Sequence, residues 1–396
     1  MEAYSVTKKF DQIINRHGTL SLKYDALQQT FGRKDIQPMW VADMDFAAPD
    51  VVVKALKARA GHPIYGYSMA PESLYDTLID WMRVKHGWEV KREWIVLTPG
   101  VVPSLSLVVA ALTNKDDGVI VQPPVYFPFL SVANNTGRRL LENLLVLTLD
   151  SFGNSTYEID FAHFEACAKQ AKILLLCSPH NPVGRVWSKS ELQKLLAISK
   201  QHQLIILSDE IHADLVYPDA KHHVLGALDI EQDTVITAVA PSKTFNIPGL
   251  GLSALIIPHE AHRKAIQSHL MASGVSVTNP FSLVAFEAAY RHGHEWLNAL
   301  LDYLHETREI VMAYAKEHLP RVKFVPAQGT YLMWLDCRQL GLSDEALQQL
   351  FLEQAKLALS PGAIFGKGGS GFMRMNIGTT QENVLIALDK LKQALN

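Results

Sequence analysis

The sequence predicts an α/β protein with two parts: a large domain on a mostly parallel sheet covered by helices, and a smaller α+β domain. Three observations carry that expectation. Short β-branched or leucine-rich runs, bounded by turn residues, alternate with amphipathic helical stretches through most of the chain. The last third changes character, to a long helical pattern followed by a different mixture of strands and helices. The chain is 396 residues long, 48% hydrophobic and 19% charged, so it can bury a sizeable core.

The strands come first. Gly118–Gln122, Ile173–Cys177, Leu204–Leu207, Thr234–Val239 and Ser253–Ile257 are short, near-continuous apolar runs, the pattern of strands covered on both faces. Between them, Ser188–Gln201 reads as a helix with Ser188 at its N-cap and Glu191 three residues on, a capping box. Pro103–Thr113 and Ala261–Ala272 read as further helices, and right-handed crossovers are expected. A long helix from Glu295 to Glu317 stops before Pro320. Strands at Val322–Val325, Tyr331–Asp336 and Phe372–Ile377 follow, with helices at Asp344–Gln354 and Gln381–Ala394. The expected division is 48–290 for the large domain, with 1–47 and 291–396 forming the small one.

Composition excludes several classes. Lys plus Arg number 37 against 40 Asp plus Glu, and no basic stripe is available to neutralise a run of phosphates, so no nucleic-acid partner is expected. No apolar stretch approaches the ~18 residues of a spanning helix, so no membrane is expected either. The first five residues carry no apolar leader. Cys167, Cys177 and Cys337 are odd in number and widely spaced, which is no disulfide framework and no zinc knuckle; a reducing cytoplasm fits. His292 and His294 do not share a helix face, no HExxH or GxSxG occurs, and no metal site is expected.

The chemistry gathers at the ends of three expected strands. Ser178–Gly184 follows the first, Ser208–Asp214 the second and Ala240–Gly249 the third. Ligands of open parallel sheets bind outside the carboxyl ends of the strands, so Asn181, Asp209 and Lys243 should meet there. A lysine in such a cleft can lose its proton and become a nucleophilic amine. A buried aspartate can keep a pyridinium nitrogen protonated, and the two together mark pyridoxal phosphate sites. Asn181 could donate to a phenolate oxygen on the same ring. Singly, each has a plainer reading, as helix cap, solvated loop or turn. Gly100, just before a helical stretch, and Ser242 could cradle a phosphate, or Leu97–Ser104 is a simple strand-to-helix turn. Gly366–Gly371 precedes a strand rather than a helix, and reads as a mobile loop.

The segments SPHNPVGRVW, SDEIHADLVY and PSKTFNIPGLG resemble the signature segments of fold-type I pyridoxal-phosphate enzymes, the class I/II aminotransferase superfamily. Trp40–Phe46 (WVADMDF), Tyr65–Ser68 and Gly371–Thr379 resemble, more narrowly, its cystathionine β-lyase (C–S lyase) branch. The resemblance implies the aspartate aminotransferase-like fold and pyridoxal 5′-phosphate as cofactor. It implies that Lys243 bonds to the cofactor and moves the Cα proton. Asp209 would pair with the pyridine nitrogen, Asn181 with the ring hydroxyl, and Tyr126 would lie over the ring, with His212 nearby. Gly100, Val101, Val102 and Ser242 would hold the phosphate, joined by Tyr65 from a second copy in a homodimer. Arg374 would clamp the carboxylate of a small amino-acid substrate, with Asn181 and Tyr65 beside it; its rival reading is an ion-paired edge residue. Two departures from the aminotransferase pattern, His212 in place of Tyr and Gly251 in place of a phosphate-binding Arg, are those of the lyase branch. The activity implied is β-elimination from L-cystathionine or a related L-cysteine S-conjugate to a thiol, pyruvate and ammonia. The alternatives are an aminotransferase of the same superfamily and a non-catalytic regulatory protein of the same fold.

Overall fold

Seven strands form the central sheet of the computed structural model, which describes residues 8–396; the first residues, where no leader is expected, lie outside them. In chain order they are β1 (Ile95–Thr98), β2 (Gly118–Val121), β3 (Arg139–Glu142), β4 (Ile173–Cys177), β5 (Ile205–Asp209), β6 (Val235–Val239) and β7 (Ser253–Ile256). Across the sheet the order is β1-β7-β6-β5-β4-β2-β3. The neighbours from β6 through β3 are parallel, and β7 runs antiparallel to both β6 and β1. The five apolar runs are therefore all strands of one sheet, mostly parallel as expected.

The apolar runs are continuous because both faces are covered. Ile173, Leu175 and Cys177 of β4 join one buried cluster, and Leu174 and Leu176 join another. Ile205 and Leu207 of β5 divide from Ile206 in the same way. Strand period two sends alternate side chains to opposite faces, and each buried Leu or Ile contributes roughly 1.5–3 kcal/mol.

Helix Lys189–Gln201 begins with the expected capping box: Glu191 N–H donates to Ser188 Oγ at 3.2 Å, and Ser188 N–H donates to Glu191 Oε2 at 2.7 Å. The helix expected from Pro103 starts earlier, as α1 (Val101–Leu112). Pro103 sits in its first turn, where a missing N–H leaves no helical bond unmade.

Four strands of this region escaped sequence reading: β1, a short run between two turns; β3, a charged sheet edge; and the two strands of the hairpin Leu145–Leu149/Ser155–Ile159, which exposes much of its surface.

The C-terminal part builds a second, four-stranded antiparallel sheet of β8 (Lys323–Val325), β9 (Leu332–Asp336), β10 (Ser360–Pro361) and β11 (Phe372–Asn376), in the order β8-β9-β11-β10. Gln37 and Pro38 pair with Leu357 and Ala358. From there residues 40–46 cross as a strap between the two sheets, and Asn376 N–H donates to Met39 O at 2.9 Å.

Candidate active site

The carboxyl ends of β4, β5 and β6, and the start of α1 after β1, lie at one edge of the large sheet. A cleft of about 230 Å³ opens there. Asn181, Asp209, His212 and Lys243 line it, from the segments that follow three adjacent strands. Gly100, Val101, Val102 and Ser242 line its other end, and Tyr126 stands beside Asn181, donating its N–H to the Asn181 carbonyl at 2.9 Å.

Burial sets the charge states. Asp209 is 5% exposed, and loss of solvent pushes its carboxyl up to about 7, against the Ile211 N–H that donates to Oδ1 at 3.1 Å and the charge of Lys243. Lys243 is pulled down to about 8, first by burial and then by the Arg374 charge, with Asp43 and Asp209 opposing. Its Nζ donates to the carbonyl of Ala42. His212 falls to about 3 through burial and the positive charges of Lys243 and Arg374, so its ring is neutral. The Cys177 thiol, register partner of Asp209 on the neighbouring strand, is pushed far up by burial and stays protonated.

Arg374 reaches this region from β11. It is 4% exposed; Nη1 donates to Asn181 Oδ1 at 3.0 Å, and Nη2 donates to Trp40 O at 2.8 Å and to Ser360 Oγ at 3.2 Å. Its Nε has no partner, and none of its acceptors among the described residues is a carboxylate. Burial pulls the guanidinium down to about 10. β11 lies between β9 and β10. The rival reading of an ion-paired edge residue therefore does not hold; this is a buried cation with an unmet donor.

The far end of the cleft suits an anion. α1 begins at Val101, so its first N–H groups have no acceptor within the helix, and its positive end faces the cleft. Gly251 lies on the wall there with φ +26, and a Cβ on it would stand 3.2 Å from the Pro99 carbonyl oxygen. The backbone thus leaves little place for the arginine that the aminotransferase pattern would put there. What remains is amides, a serine hydroxyl and space.

Tyr65 is not in this cleft. It is 59% exposed, and its hydroxyl donates to Ala60 O at 2.8 Å. The segment Gly366–Gly371 is packed rather than loose: a Cβ on Gly369 would fall 2.1 Å from Gly362 O, and one on Gly366 would meet Leu130 at 3.0 Å.

Sequence reasoning missed the strap. Its carbonyls accept one side-chain donor after another: Trp40 from Arg374, Val41 and Asp43 from Asn376, Ala42 from Lys243 and Tyr331, Met44 and Phe46 from Asn246. The WVADMDF segment stood out only as a family signature, because carbonyl chemistry does not depend on residue type. Tyr331, buried and donating to Ala42 O at 2.8 Å, had no flag of its own.

A family model described as aminotransferase class I and II matches residues 39–391. The chain is 42% identical over 390 residues to the cystathionine beta-lyase PatB of Bacillus subtilis, covering 98% of this chain and 100% of that protein. The crystal structure of cystalysin from Treponema denticola, which contains a pyridoxal 5′-phosphate cofactor, superposes with TM-score 0.93 at 34% identity over 98% of both chains. The pyridoxal-phosphate-bound C–S lyase of Staphylococcus hominis gives TM-score 0.89 at 30% identity, again over 98% of both chains.

Proposed function

This chain belongs to the class I and II aminotransferase family and is a pyridoxal-phosphate-dependent C–S β-lyase, and we propose that it cleaves L-cystathionine or a related L-cysteine S-conjugate to a thiol, pyruvate and ammonia. The observation that carries the substrate assignment is the buried guanidinium of Arg374, without a carboxylate partner among the described residues and with an unmet Nε, bonded to Asn181 at the edge of the cleft that holds Lys243 and Asp209.

The residues fit the cofactor. Amides of Val101 and Val102 with the Ser242 hydroxyl suit its phosphate, and among the described residues Asp209 has no direct cationic partner to displace. Asn181 spends its Oδ1 on Arg374, which leaves its N–H groups free to donate to a ring oxygen. When bound, pyridoxal phosphate supplies an electron sink for negative charge developing at the substrate Cα.

The chain's own residues do the rest. Arg374 would bind the substrate carboxylate through its unmet Nε–H and positive charge, and so fix the orientation of the Cα–H bond. Lys243, near its titration point at neutral pH, accepts and returns a proton at Nζ. Asp209 would hold a negative charge for the ring nitrogen, whose cationic form would lower the carboxyl's proton affinity again. Tyr126, which also lines the cleft, would pack against the ring. Loss of the Cα proton and departure of the thiolate from Cβ balance when the thiolate takes up one proton, and water then hydrolyses the released aminoacrylate to pyruvate and ammonia.

Support for a homodimer comes from the surface around Tyr65. Ile64, Tyr65, Tyr67 and Met69 are all exposed along one segment. We read this segment as covered by a second copy, with Tyr65 completing the partner's phosphate site. The domain division at 48–290 is supported by the two separate sheets, and a cytoplasmic setting by three free, buried cysteines. Among the described residues no helix is long and apolar enough to cross a membrane.

The test is to incubate the protein with L-cystathionine, and separately with an α-keto acid plus an amino donor, measuring pyruvate, free thiol and new amino acid. Equal thiol and pyruvate are expected. A new amino acid without thiol would overturn the substrate reading.

A further inference from the structure

Behind the cleft, outside its lining, lie two buried carboxylate–imidazole pairs that the proposed reaction does not use. The first is Asp214 with His86, side chains 6% and 7% exposed, 2.9 Å apart. Asp214 Oδ1 also accepts from the Trp81 indole N–H at 3.1 Å, and Oδ2 accepts from the Thr244 hydroxyl at 2.9 Å. The second is Glu210 with His222, 2.8 Å apart, both almost fully buried. The His222 ring meets that of His86 edge-on at 5.9 Å. Glu210 follows Asp209, and Thr244 follows Lys243. The two pairs therefore run in tandem between the chain neighbours of the two residues that face the cofactor site.

The turn that carries Lys243 needs such an anchor. Pro241–Thr244 is a single four-residue turn after β6. One helical turn gains too little from its own hydrogen bond to hold its geometry. Its pitch must come from outside contacts, and that pitch decides where the lysine stem leaves the backbone. Trp81 and His86 both sit on the long helix Glu72–His86, so Asp214 joins that helix to the turn through one carboxylate. Thr244 is 1% exposed, and its hydroxyl spends its donor on Asp214 rather than on its own helix. His86, Trp81 and Thr244 together hold the Asp214 carboxyl below its usual range despite burial, so it stays an acceptor at neutral pH.

We propose that Asp214, acting through the Thr244 hydroxyl, is a positioning residue for Lys243. The proposal rests on the reading of Lys243 as the cofactor lysine. A small shift of the turn moves Nζ off its line of approach, and misplacement by about an ångström costs up to ~100-fold in rate.

Thr244→Val tests it, since it keeps the shape and removes only the hydroxyl. Cofactor-free protein is mixed with pyridoxal 5′-phosphate, and the rate of appearance of the visible band is followed, with kcat, KM and Tm measured on the loaded enzyme. Band formation and kcat should both fall on the order of 10-fold, with KM within about twofold, and Thr244→Ser should restore both. Asp214→Asn should lower the same two quantities. A Thr244→Val protein with normal band formation and kcat, whatever its Tm, would overturn the proposal. So would a loss that Thr244→Ser fails to restore, since packing and not the hydroxyl would then be at fault. A wild-type protein that forms no band strikes the assignment of Lys243 itself, which separates the two failures.

Discussion

The guanidinium of Arg374 on β11 donates to the side-chain oxygen of Asn181, in the turn after β4 of the other sheet, at 3.0 Å, although the two residues are 193 positions apart. One amide oxygen thereby fixes the side chain that we propose as the substrate clamp and leaves the Asn181 N–H groups free to donate. Arg374→Lys keeps a positive charge but loses the planar fork and cannot serve Asn181, Trp40 and a substrate together. We expect kcat/KM for the L-cysteine S-conjugate to fall ~100-fold, about 3 kcal/mol, mostly through KM. Formation of the visible band with cofactor should be unaffected. Steady-state kinetics beside a reconstitution titration would check both, and an unchanged kcat/KM would remove the clamp.

Asp209 destabilises the cofactor-free chain at neutral pH. Its carboxyl is raised to about 7 in the folded protein, so the folded state binds the extra proton between the ordinary carboxylate range and about pH 7. Stability from this group is full below that window and is lost as pH rises through it. Asp209→Asn removes the penalty. The cofactor-free variant should melt higher than wild type at pH 8, by an amount on the order of 4 kcal/mol at most, and the advantage should shrink at pH 5. The same variant should lose turnover, because nothing then answers the ring nitrogen. Thermal melts at the two pH values decide it; an advantage that grows toward acid would show that burial is not the cause.

The site was legible where chemistry depends on residue type at a strand end. Lys243, Asp209 and Asn181 each follow an apolar run, and the parallel order of β4, β5 and β6 brings them together. Most strands were visible because both their faces are buried. β3 was not, since a partly exposed edge strand with charged ends lacks that signal, and β1, although buried, is a four-residue run between the polar Arg92–Trp94 turn and Pro99. What the sequence hid is contact between distant backbone and side chain. Nothing in Ala42 shows that its carbonyl will meet Lys243 and Tyr331, and nothing local joins Asp214 to Thr244. The glycines of 366–371 suggested mobility, yet here they permit close approach to Gly362 and Leu130.

Gly251 cannot be returned to the arginine of the aminotransferase pattern at no cost. Its φ of +26 is rarely adopted by L side chains, and a Cβ would press on Pro99 O at 3.2 Å. We expect Gly251→Arg to destabilise the protein by roughly 1–3 kcal/mol. It should not bring transamination with it, because His212 and the strap are unchanged. Urea unfolding and an amino-acid product assay measure the two effects. A variant of wild-type stability would mean that the loop relaxes freely.

Asn246 holds the strap in place from a left-handed backbone conformation, φ +53. Its Oδ1 accepts from Met44 N–H at 2.9 Å, and its Nδ2 donates to Met44 O at 2.9 Å and Phe46 O at 2.7 Å. Two residues before Met44 stands the Ala42 carbonyl that Lys243 and Tyr331 share. Asn tolerates positive φ better than most residues, and its amide offers a separate acceptor and donor group for the bonds made here. Asn246→Ala loses all three bonds and adds backbone strain, for about 2–4 kcal/mol in total. Asn246→Gly loses the bonds but not the conformation, so it should cost less than Ala by roughly 1 kcal/mol. Both should lower kcat, because the acceptor facing Lys243 is then free to move. Urea unfolding of the pair separates strain from bonding; if Ala and Gly are equal, the left-handed backbone contributes nothing and the hydrogen bonds alone hold the strap.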